Sequence, residues 1–383
     1  LLMPVEAQAV PDSIVPSLSP ASSVRVAEVR TYRLKEAIFV QIVSDVGTSG
    51  WCEVSPTHLH VVETIIHTAL KRHIIGRSVW DAEPAWDEMF FANRDLGSSG
   101  GLTSAIAGID IALWDLKGKL TGLPVYRLLG GKYRTRLRAV GSVGMSSTPD
   151  DAARQAARLV ERGFTAIRLR MQTREQAINP HPDPTFVCAQ AISQAIGSQI
   201  EFYLDLDQGY TAVRAIELGK RLRGELGVNY LEEPVSTLHL RDLAQVSEAL
   251  DLPIIAGRNE CTRWQHRDLI DIGNVGVLSM DVVKCGLTEA KKIAALGQAC
   301  SKPILPANTS PAFSAAAALH LVASISNAAP FVQFMVGDQS RSLSSLMRSQ
   351  IEFKDGFLSV PQTPGLGLEV DEAALRRSGD SKP

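Results

Sequence analysis

The sequence predicts an α/β fold in which a closed (β/α)8 barrel is joined to a smaller α+β unit. Three observations carry this. From Arg136 onward, eight short apolar runs alternate with helix-length stretches, which implies a parallel sheet. Ahead of them, residues 24–135 mix strand and helix texture. After them, residues 351–383 return to strand and turn once the barrel's strands are used up.

Residues 1–23, rich in Pro, Ser and Ala, read as a flexible extension without the basic start of a secretory signal. In residues 24–135, "VRVAEVRTYRL" and "AIFVQIVSD" have strand character with a turn at "DVGTSG". "PTHLHVVETIIHTALKRHIIG" and "SVWDAEPAWDEMFF" read as helices, the second as an amphipathic surface helix. Ala105, Ile109, Leu113, Leu116 and Leu120 recur at helical spacing, and Gly122 followed by Pro124 stops that helix.

Residues 136–350 hold the alternating pattern. The apolar runs are "LRAVGSVG", "AIRLRM", "FYLDLDQ", "NYLEEP", "PIIAGRN", "VLSMDVVK", "PILPAN" and "PFVQFMV". Eight strands over this length suit a closed barrel. An open doubly wound sheet calls for a Gly-rich phosphate turn after its first strand, which "AVGSVGMSST" imitates only weakly. The tail, residues 351–383, is expected to pack against the first unit.

A formal net charge of −2 gives no nucleic-acid footprint, and no apolar run reaches the length that spans a bilayer. Cys52, Cys188, Cys261, Cys285 and Cys300 are dispersed without metal-type spacing, as expected of reduced thiols in a cytoplasmic protein. The expected partner is a small molecule, with neither nucleic acid nor membrane.

Side chains at the C-terminal ends of barrel strands face one shared mouth. The third strand brings Asp205 and Asp207 there on one face. The fourth ends in Glu232 and Glu233, one of which faces inward; the fifth in Arg258, with Glu260 two positions later; the sixth in Asp281. Taken singly, each also reads as a solvated charge at a loop start. As a set on successive strands they suit a hard, oxygen-seeking cation such as Mg2+.

These motifs resemble the enolase superfamily in its mandelate racemase-like branch. "AIAGIDIALWDLKGKLTGLPVYRLLGG" is similar to that branch's capping-domain helix, "DGFLSVPQTPGLGLEVDE" to its closing segment, and "YLDLDQGY" and "YLEEPV" to its first two metal strands. The resemblance implies a modified (β/α)8 TIM-type barrel under an α+β capping domain formed by the N-terminal segment and the C-terminal tail. It also implies Mg2+ held by acids on the third to fifth strands, removal of the proton α to a carboxylate with stabilisation of the enediolate, and assembly as a dimer or octamer. Carried over by position, Asp205 and Glu232 match the first two metal ligands, with Asp207 or Glu260 assisting. Asp281 matches an aspartate that supports a catalytic histidine, and Lys284 a frequent lysine of that segment.

The departures bear on mechanism. Arg258 stands where the third acidic ligand belongs, and Arg168 and Arg170 stand where a lysine pair does. Ala307 or Asn308 occupies the histidine position, and Gln333 that of an eighth-strand acid. Arginine stays protonated, so Arg168 and Arg170 suit a substrate carboxylate better than a base role. His58, in the capping-domain loop, and Asn308 are further candidates for contacting substrate; His60, Tyr203 and Tyr210 are weaker candidates for proton transfer.

Two readings follow. One is a Mg2+-dependent lyase or isomerase acting on a small hydroxy-acid or sugar acid by dehydration or racemisation. In it Asp205, Asp207, Glu232 and Glu260 serve the metal, and Arg168, Arg170, Asp281 and Lys284 the chemistry. The other is a divergent scaffold that has lost the metal site to Arg258 and binds a carboxylate ligand or acts structurally.

Overall fold

The computed structural model describes residues 24–35, 37–54, 58–144, 148–171, 178–308, 312–334, 345–378 and 380–382; the expected N-terminal extension lies outside them. The first unit is an antiparallel meander of β1 (Val26–Arg33), β2 (Ile38–Ser44) and β3 (Ser49–Val54). It packs on α1 (Leu59–Ile65), α2 (Ala82–Ala92) and α3 (Gly101–Thr121). Ala105, Ile109, Leu113 and Leu116 are buried at the expected spacing and Leu120 is half-buried. Gly122 ends α3 in the left-handed region, and Pro124 opens the short α4 (Val125–Leu128).

The expected amphipathic surface helix is instead a junction. Trp86 on α2 is fully buried, and its Nε1 donates to the Cys285 carbonyl at 3.0 Å in the barrel. An indole carries a large apolar surface with one donor, so it settles where both are met.

The barrel strands are β4 (Arg136–Val143), β5 (Ala166–Arg170), β6 (Glu201–Asp205), β7 (Tyr230–Glu232), β8 (Ile254–Ala256), β9 (Val277–Asp281), β10 (Ile304–Ala307) and β11 (Val332–Phe334). Each of β4 to β9 is parallel to the next, and β11 pairs with β4. Ile304 closes the ring, donating to Asn327 O and accepting from Ala329 N, both at 2.8 Å. Between the strands run α5 (Pro149–Glu161), α6 (Thr185–Ile196), α7 (Ala212–Leu226), α8 (Leu240–Ala249), α9 (Arg263–Asp271), α10 (Val282–Ala299) and α11 (Phe313–Ala323). Local chemistry starts them. Thr148 caps α5 ahead of Pro149, Thr262 and Gln265 form a reciprocal capping box on α9, and Asp281 caps α10.

The tail departs from expectation in its first part. Its hairpin, β12 (Phe353–Lys354) and β13 (Phe357–Ser359), joins the barrel, with β13 antiparallel to the start of β4. The reason is that β4 begins before its partners do. Arg136, Leu137 and Arg138 precede its pairing with β11 at Ala139 and with β5 at Val140, and their backbone groups need a mate. Beyond the hairpin the chain does return. Leu366 N donates to Asp115 on α3, and α12 (Glu372–Ser378) leads into β14 (Asp380–Lys382), which adds to β1.

Asp110 on α3 fastens this cap to the barrel, accepting from both the backbone N–H and the hydroxyl of Thr288 on α10. Gly286 makes the approach possible: its φ of 83° breaks the helix, and a Cβ there would lie 2.7 Å from Asp110 Oδ2. Burial pushes the Asp110 carboxyl up to about 6 despite the Thr288 hydrogen bonds.

Candidate functional site

The strand ends converge as barrel geometry requires. Asp205 and Glu232 are register partners at the ends of β6 and β7, and Arg170 on β5 is the partner of Asp205 on the other side. Beyond β8, Gly257 turns the chain with φ 116°, and a Cβ there would meet Ser279 O at 2.5 Å. This turn breaks strand alternation and swings Arg258 back over the mouth. Glu233 fixes it: its Oε1 accepts from the N–H groups of Gly257 and Arg258, both at 2.9 Å. Of the two glutamates, Glu232 therefore enters the cluster and Glu233 holds the turn.

Arg258 is the centre of the site. Its Nη1 lies 2.7 Å from Asp205 Oδ2 and 3.4 Å from Glu232 Oε1, and its Nη2 lies 2.6 Å from Asp207 Oδ1. Arg168 lies 3.4 Å from Glu232 and 3.6 Å from Asp205, and Arg170 lies 2.5 Å from Asp207 Oδ2. Gln333 Nε2 reaches both Glu232 oxygens at 3.1 Å. Asp207 takes the left-handed conformation (φ 48°), which brings its side chain to the same guanidinium as Asp205 without strand alternation.

Three carboxylates thus face three guanidinium groups, most of them buried. Burial disfavours the Arg258 charge, but Asp205, Glu232 and Glu233 outweigh it and hold the guanidinium well above its ordinary pKa. Burial likewise opposes ionisation of Asp205, yet Arg258, Arg168 and Arg170 hold it below the usual carboxylate range. Glu232 moves the other way, pushed up to about 7 by burial and by the neighbouring Asp205 charge. Its guanidinium partners stand farther off than the one on Asp205.

Other candidates fall outside this cluster. Glu260 does not share a face with Arg258, because the Gly257 turn ends the extended run; burial raises its carboxyl, and its neighbours are Thr237 and Lys284. Asp281 accepts from Val283 N at the start of α10, and its register partner on β10 is Ala307, not a histidine. Asn308 Nδ2 contacts the Gln333 carbonyl at 3.4 Å. Tyr203 is buried inside the barrel, stacked on Phe331, and the Tyr210 hydroxyl donates to Asp183 and pairs with the Thr185 hydroxyl. His58 and Lys284 line one cavity of about 270 Å3 at the cap–barrel boundary, with Ser99, Gly100, Ser104 and Asn259. Lys284 Nζ donates to Asn259 Oδ1 at 2.9 Å. The roles of Gln333 and Glu233 as clamps on this network carry no sequence signal beyond their places at strand ends.

A divalent cation does not fit this donor set. The guanidinium occupies the point on which Asp205, Asp207 and Glu232 converge, and a third ligand on the fifth strand is replaced by a positive charge. Among the described residues, no group of three or more His, Cys, Asp or Glu side chains could hold a metal ion.

A cap built from both chain ends over a parallel barrel, with acids on successive strand ends, defines a capped-barrel protein of the enolase type. The chain belongs to the mandelate racemase/muconate lactonizing enzyme family of the enolase superfamily. Its residues 14–130 match the mandelate racemase/muconate lactonizing enzyme N-terminal domain, and residues 151–374 the enolase C-terminal domain-like family. It is 30% identical to a D-galactarolactone cycloisomerase of Agrobacterium fabrum, over 88% of this chain and 90% of the relative. It is 31% identical to a D-galactonate dehydratase of Ralstonia pickettii, over 94% and 95%. A Paracoccus denitrificans mandelate racemase/muconate lactonizing protein, solved in complex with magnesium, superimposes with a TM-score of 0.88 at 30% identity, covering 94% of this chain and 98% of that one.

Proposed function

We propose that this protein is a divergent member of its family that binds a small carboxylic acid of the sugar-acid class at the barrel mouth, with Arg258 as the resident cation in place of a divalent ion. The carrying observation is the seating of the two terminal Arg258 nitrogens on Asp205 and Asp207. Arg170, with a side chain 45% exposed at the mouth, is assigned to the ligand carboxylate, which its planar fork suits. Arg168, 10% exposed, supports the acids from below. The ligand class rests on the relatives, named for galactonate and galactarolactone.

The family's proton abstraction is not part of this reading. Arg168 and Arg170 hold their protons and cannot act as bases, and the position facing Asp281 is Ala307. A second reading keeps Mg2+-dependent removal of the α-proton, with dehydration or racemisation; the convergence of Asp205, Asp207 and Glu232 favours it, but it requires Arg258 to leave its seat.

Calorimetry with D-galactonate in the presence of EDTA tests the proposal. Binding without metal is expected, weakened about tenfold in Arg170→Met, the scale of one charge-assisted contact. Binding that appears only when Mg2+ is added overturns it.

A further inference from the structure

The turns that follow β6 and β8 are tied together by one buried carboxylate. Asp207 and Gln208 leave β6 in successive left-handed conformations, φ 48° and 62°, and Glu233 leaves β7 in another, φ 47°. Residues with a Cβ seldom hold that conformation, and they keep it only where their neighbours enforce it. Here the enforcing group is Glu233, which is fully buried. Its Oε1 accepts from the N–H groups of Gly257 and Arg258, and its Oε2 accepts from Gln208 Nε2 at 2.8 Å. Its backbone carbonyl accepts from Gln208 N at 2.7 Å. Gln208 is therefore held by main chain and side chain from the same residue.

The hold on Gln208 reaches the mouth through the residue before it. Asp207 divides its oxygens between two arginines: Oδ1 lies 2.6 Å from Arg258 Nη2, and Oδ2 lies 2.5 Å from Arg170 Nη2. Its backbone N–H donates to Asp205 Oδ1 at 3.0 Å. Arg258 is nearly buried, whereas Arg170 is half-exposed. An arginine with that much rotamer freedom is aimed by the acid it meets, so a shift of Asp207 shifts the Arg170 guanidinium. A chain of contacts thus runs from Glu233 through Gln208 and Asp207 to Arg170.

We propose that Gln208 and Glu233 are the positioning pair of this site: through Asp207 they set where Arg170 presents its guanidinium to the ligand carboxylate. The inference rests on the assignment of that carboxylate to Arg170. The pair acts by matching a donor to an acceptor, and the two roles are exchangeable. Glu233→Gln keeps an oxygen for the Gly257 and Arg258 N–H groups and gains an N–H that a carboxylate at position 208 can accept.

Calorimetry with D-galactonate and EDTA on the full chain tests this. Gln208→Ala should weaken binding about fivefold, the scale of one hydrogen bond. Gln208→Glu sets two carboxylates against each other and should weaken it at least as much. Joining Gln208→Glu to Glu233→Gln should recover most of that loss, which a general loosening of the fold would not do. Because the pair acts through Arg170, Gln208→Ala should cost less than about twofold once Arg170→Met is present. Gln208 is half-buried and uncharged, so Gln208→Ala and its combination with Arg170→Met keep the test readable if the exchanged pair does not fold. Arg170-dependent binding that Gln208→Ala leaves unchanged, or losses from Gln208→Ala and Arg170→Met that simply add, overturn the positioning pair and leave the carboxylate assignment standing. Binding that is absent, or that does not depend on Arg170, overturns both.

Discussion

Arg258 Nη1 sits 2.7 Å from Asp205 Oδ2, with 8% of the arginine side chain and none of the aspartate exposed. A buried pair of this kind contributes little over an apolar pair, but removing one partner leaves its mate charged and unpaired. Arg258→Ala strands Asp205 and leaves Asp207 and Glu232 without their shared partner. It should cost about 3–5 kcal/mol of stability in urea denaturation, whereas loss of an exposed arginine such as Arg267 should cost far less. Equal, small losses at both positions contradict the burial argument.

The Gly257 turn places the guanidinium, so a change there should disturb both folding and site. Gly257→Ala forces a side chain into a left-handed conformation and against the Ser279 carbonyl. A loss of about 1–3 kcal/mol is expected for the backbone strain alone. Sugar-acid binding should weaken in parallel, since Arg258 and the acids it organises move together. Unchanged binding in a destabilised variant would separate the turn from the site.

Asp110 gives a pH prediction of definite sign. Its folded pKa of about 6 lies above the ordinary aspartate value of 3.8, so the folded state holds the proton longer than the unfolded chain. Stability from this group is therefore full below about pH 4 and declines as pH rises to about 6, by up to about 3 kcal/mol. His320 acts oppositely: burial lowers it from 6.5 to about 4, so its contribution is present above about pH 6.5 and lost as pH falls toward 4. The two mask each other in the wild type. Asp110→Asn removes only the declining part, so its stability relative to wild type should increase from pH 4 to pH 7. A constant difference across that range rules out the buried carboxyl as its source.

Much of this architecture is legible in the sequence because it follows from periodicity and punctuation. The eight runs become β4 to β11, and the helix from Ala105 ends at Gly122 because an apolar stripe and a glycine stop are local signals. The destinations of Trp86 and the β12–β13 hairpin are not local. They depend on which distant carbonyl or unpaired strand edge needs covering. The same division runs through the site. Alternation brings Arg168, Arg170, Asp205 and Glu232 to one mouth, but Asp207 arrives through a left-handed turn and Glu260 is diverted by Gly257. A positive φ at one residue reverses a facing rule, and residue type alone does not announce it.

If Arg258 occupies the place of a divalent ion, Mg2+ calorimetry on the wild type and on Arg258→Glu will separate the two proteins. The wild type should show no binding at millimolar Mg2+, and Arg258→Glu, which restores a third carboxylate and removes the competing charge, should gain a measurable site. Sub-millimolar binding by the wild type, left unchanged by Arg258→Glu, would mean that the guanidinium does not hold the metal's place.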